Sequence, residues 1–286
     1  MSKEDNAFLH SGSLFLRSDF MSAPQWFIYL VLGLSGLCFG SFLNVIVYRL
    51  PRRLSLQKPP SSCPRCGKRL GAIELIPLAG YLLLRGRCRH CGAAISPRYP
   101  LVELTTALLF MAVYTRFGFT LTALAYLFLL YLLLGIALID LEHHLVPNIL
   151  VTVGLLGGVI LQLPALAVRW WPLPAALLPE RAWTDALAGL LLGGGLMLVI
   201  FLVSRGGMGA GDLKLMALIG FFTGLRGTAI VMMLGFLVGA LTGLLLMAMD
   251  RLKRKEAVPF APFLALAALV NIFWGEQLWD WYINLL

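Results

Sequence analysis

Long apolar segments dominate this chain and leave little room for any design outside a membrane. A transmembrane helix needs about 20 mainly apolar residues. Stretches of that character run over residues 26–48, 99–115, 120–139, 148–168, 183–203, 214–224, 228–249 and 259–274. The sixth is too short for an ordinary crossing and is expected to tilt or to re-enter, so eight spans are expected and seven are the alternative. The composition excludes a water-soluble reading: 59% of the residues are apolar and 13% charged, against about 45–50% and 25% in soluble proteins. Collagen-like, disordered and disulfide-scaffold classes fall with the same figures. The expected fold is an all-α polytopic membrane protein of about eight transmembrane helices with one small soluble module.

The net charge of +9 would suggest nucleic acid in a soluble protein. In a membrane protein it first reports topology, because Lys and Arg gather on the cytoplasmic side. If the first span runs from outside to inside, 17 of the 23 Lys and Arg lie inside, eleven of them within residues 49–98. Lys3, Arg17, Arg116, Arg169, Arg181 and Arg226 are left outside. Both termini are then expected outside, and nucleic acid is not an expected partner. Residues 1–25 are polar and carry Lys3, Glu4, Asp5, His10 and Asp19, without a signal-peptide pattern. The expected division is an outer tail over 1–25, a first helix over 26–48, a cytoplasmic module over 49–98 and a membrane core over 99–286. Glycine-rich stretches such as Gly193–Gly195 and Gly235, Gly239 and Gly243 lie within spans, where small residues let helices pack closely.

The soluble module holds Cys63-Pro-Arg-Cys66 and Cys88-Arg-His-Cys91. Two C-x2-C knuckles can place four thiolates around one ion, and Zn2+ is the metal this spacing fits best. Gly67 and Gly92 follow the second cysteine of each pair, where a chain turning around a metal favours positive φ. Two disulfides, iron and redox-active thiols are other uses of four cysteines; a reducing cytoplasm opposes the disulfides. A four-cysteine site has no open position, so its expected role is structural. Cys38 lies in the first span and is expected to be a small buried apolar residue.

Ionisable groups at membrane depth are costly and therefore functional candidates. Asp140 ends a long apolar span, and Asp212 lies in Gly209-Ala210-Gly211-Asp212-Leu213-Lys214. The topology brings both to the inner face although they are 72 positions apart. Two neighbouring carboxyl groups share a proton, so one can activate water while the other polarises a carbonyl. The bland alternatives are a helix N-cap for Asp212 and an interfacial residue for Asp140. Glu103 is either a pocket residue or a partner for Arg98. Asp185 and Asp280 fall at outer ends, where solvation is expected. Adjacent His143 and His144 make a poor metal pair, and neither a Gly-x-Ser-x-Gly elbow nor a His-Glu-x-x-His motif is present.

Several motifs occur in a fixed order: Gly40-Ser41-Phe42-Leu43-Asn44-Val45 with Tyr48-Arg49-Leu50-Pro51, the two cysteine pairs, and Arg98-Tyr99-Pro100-Leu101-Val102-Glu103. Ile139-Asp140-Leu141, the Gly-x-Gly-Asp segment with Lys214, and Pro259-Phe260-Ala261-Pro262-Phe263 follow. In this order, the chain resembles the type IV prepilin peptidases of bacterial inner membranes, over residues from about 34 to 269. The resemblance implies an aspartic protease of the Gly-x-Gly-Asp membrane class whose catalytic residues fall on Asp140 and Asp212. Gly209, Gly211, Lys214 and Glu103 become candidate substrate contacts. It further implies removal of a short basic leader from prepilins and type II secretion pseudopilins at the cytoplasmic membrane face. The long form, marked by the cysteine loop, also methylates the new N-terminus with S-adenosylmethionine. Ala210 and Ala261 stand where the family often has glycine, and both are expected to be tolerated. The alternatives are a peptidase that does not methylate, or a non-enzymatic transporter or scaffold with paired carboxylates. Neither an oligomeric state nor a methyl-donor pocket follows from the spacing. The basic module faces the bilayer's anionic head groups more naturally than a basic leader.

Overall fold

The computed structural model describes residues 24–167, 174, 178–179, 181–204, 209–249 and 258–285. The expected outer tail therefore lies outside the described residues up to residue 23, as do Arg169, Arg205 and the basic residues 251–255. The regular structure among the described residues is helical, with two isolated bridges and no strand. The helices are α1 (Gln25–Arg49), α2 (Ala79–Leu83), α3 (Arg98–Phe117), α4 (Leu121–His143), α5 (Asn148–Gln162), α6 (Pro164–Ala167), α7 (Trp183–Val203), α8 (Ala210–Ala248) and α9 (Ala261–Ile283). Seven helical stretches are long and apolar enough to cross a membrane. The chain divides into two compact units, Met1–Thr115 and Arg116–Leu286.

In the first unit α1 and α3 form an antiparallel pair. The Tyr29 hydroxyl lies 3.2 Å from Thr115 Oγ1, and Asn44 Nδ2 donates to the Tyr99 carbonyl at 3.1 Å. Between these ends, added Cβ atoms at Gly36 and Gly40 would stand 2.5 and 2.6 Å from the backbones of Ala107 and Glu103. Small residues thus let the two backbones touch, the usual device where lipid supplies no hydrophobic drive between helices. The contacts group the second span with the first and with the cysteine module. Cys38 is exposed on α1 rather than buried; the face of α1 that packs on α3 is occupied by its glycines instead.

In the second unit, Thr120 caps α4 by accepting from the Ala123 amide at 3.0 Å. α8 is two helices in succession. Gly224 has φ 67° and ψ −174°, a conformation that only glycine adopts without strain. Side-chain packing gives the direction of each leg. Gly211 sits against Val146, just beyond the end of α4, whereas Gly239 sits against Phe260 and Gly227 against Asn271. The chain therefore leaves the Asp140 end of the unit, reverses at Gly224 and returns alongside α9. The first leg, residues 210–223, spans only about 21 Å at 1.5 Å per residue, short of the roughly 30 Å of a bilayer core. It corresponds to the short sixth segment of the sequence, and the longer return leg to the seventh. At the reversal, Asp185 Oδ1 accepts from the Leu225 amide at 3.0 Å and so caps the second leg; its other oxygen lies 3.1 Å from Arg181 Nη1.

Candidate active site

Two side-chain clusters stand out, one in each unit. In the second unit, Asp140 lies in the last turn of α4 and is buried. An anion there would meet the negative end of its own helix. The structure compensates from elsewhere in the chain: the Ala261 amide, first residue of α9, donates to Asp140 Oδ2 at 3.0 Å. The N-cap position Phe260 has no capping side chain, so the remote carboxylate satisfies an orphan donor of that helix end. The Pro-bracketed segment at 259–263 was visible in the sequence, but its part in holding Asp140 was not. A signal did exist there: a helix with proline in its first turn and phenylalanine as its N-cap residue has no local side-chain acceptor for its first amides.

Asp212 is half-buried in the first turn of α8, within electrostatic reach of Asp140. It is not the N-cap; Gly209 holds that position without a side-chain bond. Gly211 and Gly209 differ in their surroundings. A Cβ on Gly211 would lie 2.7 Å from Val146 Cβ, whereas one on Gly209 would meet the Asp212 carboxylate at an ordinary 3.5 Å. Gly211 is thus needed for close packing of the segment that carries Asp212, and Val146 is the residue on which it packs. Lys214 is exposed and donates to Asn148 Oδ1 at 3.0 Å, which ties the start of α8 to the start of α5. Asp140, Asp212, Gly209, Gly211 and Lys214 therefore gather at one end of one unit.

Glu103 belongs to the first unit. It is buried, and its Oε2 accepts from the Leu78 amide at 2.7 Å. Leu78 has φ 59°, a left-handed conformation unfavourable to a side chain, and the carboxylate holds it there at the entry to α2.

The cysteine module repeats one knuckle twice. Gly67 and Gly92 donate to the carbonyls of Cys63 and Cys88 at 2.9 Å, and each has φ 70°. The Cys63 and Cys88 amides in turn donate to Lys68 and Ala93 at 2.9 and 2.8 Å. The four sulfurs lie within 4.8 Å of one another, with Cys63 Sγ and Cys91 Sγ 3.9 Å apart, and none is in a disulfide. A tetrahedral site with Zn–S bonds of about 2.3 Å needs sulfurs about 3.8 Å apart, so the four thiols fit a metal ion. The amides of Cys66 and Arg65 hold the Cys63 thiol down at about 6. For Cys91 the Ala93 amide also acts downward, but burial and the other thiols outweigh it and push it up to about 11. A cation among the sulfurs removes that conflict by favouring all four thiolates.

The fold and these clusters define a class: a multispan helical membrane protein with one aspartate in the last turn of α4, another in the first turn of α8, and a four-thiol module. Comparisons with known proteins make the class specific. The family model described as the bacterial peptidase A24 N-terminal domain matches residues 34–117, and that of the type IV leader peptidase family matches residues 127–244. A prepilin leader peptidase/N-methyltransferase of Pseudomonas putida is 36% identical, over 92% of this chain and 96% of that protein. The protein of the same name from Pseudomonas aeruginosa is 36% identical over 93% and 97%, and that from Bacillus subtilis 34% over 89% and 98%. No solved structure matches the chain. This chain belongs to the type IV leader peptidase family.

Proposed function

We propose that this enzyme removes the leader peptide of prepilins and pseudopilins and methylates the amino group so exposed; its relatives are named prepilin leader peptidase/N-methyltransferase. The observation that carries the peptidase reading is the meeting of Asp140 and Asp212, from the end of α4 and the start of α8, at one end of one unit. One proton shared between two such carboxyls leaves one ionised group to take a proton from water, while the protonated partner polarises the scissile carbonyl. The Ala261 amide orients Asp140 for that role, which makes Ala261 a positioning residue. Gly211 lets the segment that carries Asp212 pack closely on Val146, and Lys214 flanks it beside Asn148. Glu103, with its carboxylate engaged by Leu78, serves the substrate indirectly by bracing the cysteine module.

The distribution of 17 basic residues against six supports a cytoplasmic active site with both termini in the periplasm of the inner membrane. That placement suits a substrate whose apolar helix stays in lipid while its leader projects into the cytoplasm. The metal of the four-thiol cluster is assigned as Zn2+, held by Cys63, Cys66, Cys88 and Cys91 in a structural role. S-adenosylmethionine is the methyl donor implied by the methyltransferase names. Among the described residues there is no strand-turn-helix unit to seat it.

Incubating the purified enzyme with a prepilin and a methyl-labelled donor tests the reading. Leader loss together with label on the mature N-terminus is expected. Leader loss without label would restrict the enzyme to cleavage, and an intact prepilin would overturn the proposal.

A further inference from the structure

Three of the six basic residues left outside by the charge count, Arg116, Arg181 and Arg226, are described by the structure, and all three line a single cavity of about 520 Å3. The cavity lies wholly in the second unit, at the end remote from the aspartates. Glu276 and Asp280 on its wall are 15 and 19 positions along α9 from Ala261, or about 22–29 Å at 1.5 Å per residue. Its volume falls within the roughly 300–1,000 Å3 of ligand sites. Arginines are scarce on the outer side of membrane proteins, so their convergence calls for a ligand rather than for topology. The Arg181 guanidinium is held by Asp185, 3.1 Å from Nη1, and by Tyr126, while its Nε is buried without a hydrogen-bond partner. Arg226 stacks its Cζ 5.6 Å over the Trp279 ring, which fixes its fork at the cavity wall. Opposite charge is present too, since Glu276 and Asp280 share this wall and neither forms an ion pair with an arginine among the described residues.

We infer that this cavity binds the head group of a zwitterionic phospholipid of the phosphoethanolamine class. Arginine forks match phosphate oxygens in planar, paired hydrogen bonds. The ammonium is served by the carboxylates of Glu276 and Asp280. A purely anionic head group would satisfy the arginines but place nothing on Glu276 and Asp280. A site at the outer end of the bundle agrees with this ligand.

Native mass spectrometry of the full chain tests the proposal. The protein is released from micelles holding equal amounts of phosphatidylethanolamine and phosphatidylglycerol with matched chains. One retained phosphatidylethanolamine is expected, preferred about fivefold, the scale of one exposed ion pair. Arg226→Ala should lose the lipid. Glu276→Gln combined with Asp280→Asn should keep a lipid but bring the two head groups to parity. These side chains are exposed, so an unchanged melting temperature is expected of each variant. Should Arg226→Ala unfold, the doubly neutralised variant alone decides. Parity in the unaltered protein, or the same adduct in every variant, would overturn the proposal. So would displacement of the lipid by equal concentrations of soluble phosphoethanolamine or inorganic phosphate, which would make the site one for a free solute.

Discussion

At the scale of single residues, Asp140 has two separable duties. Its carboxylate accepts the Ala261 amide, and it is one of the two proposed catalytic groups. Asparagine keeps an acceptor oxygen at that place and alanine does not. Asp140→Asn should therefore retain the melting temperature of the parent in detergent, whereas Asp140→Ala should lose about 1–3 kcal/mol through a buried amide left without a partner. Equal melting of the two variants would show that the bond is unimportant to the fold. The two glycines before Asp212 should also part company. Gly211→Ala drives a Cβ to 2.7 Å from Val146, an overpacking worth about 1–3 kcal/mol. Because the displaced segment carries Asp212, leader cleavage should fall at least about tenfold, or 1.4 kcal/mol of barrier. Gly209→Ala meets only an ordinary contact and should cleave like the parent. Comparable rates for both would contradict this packing account.

Among the elements, the reversal inside α8 depends on Gly224. Any side chain there adopts an unfavourable positive φ, and its Cβ would collide with the Asp185 carboxylate that caps the second leg. Gly224→Ala should cost about 1–3 kcal/mol for the backbone alone, visible as earlier melting in detergent and faster proteolysis near residue 224. Wild-type melting would show that the turn tolerates a side chain. Much of this architecture was legible in the sequence. The break between the sixth and seventh apolar segments was expected at 224–228, and the structure turns at 224. Run length and glycine placement carry that information locally. The packing of α1 on α3 through Gly36 and Gly40, the Leu78–Glu103 bond and the Asp140–Ala261 bond were not legible. Each joins residues far apart in the chain, the last pair by 121 positions, and hydropathy says nothing about such partners. The exposure of Cys38 was missed for a related reason: a residue type alone does not say which side of a span it occupies.

For the whole molecule, the four-thiol module and the aspartate cluster reside in different compact units. The module's described interior is small: Cys63, Cys88 and Ala93 form its buried cluster. So slight a core cannot hold a fold without a staple, and the proposed metal would supply that folding energy directly. Cys63→Ser should abolish the single bound zinc, measured by elemental analysis, and open residues 49–98 to protease while the apolar helices stay protected. Full metal content in that variant would refute the four-thiol assignment. The aspartates should respond independently of the metal, and that independence gives the most direct measurement of all. Coexpression of a prepilin with Asp140→Asn or Asp212→Asn should leave the leader attached on a gel, with the variant inserted in the membrane and its zinc retained. Normal leader removal by either variant would contradict the paired-carboxylate account.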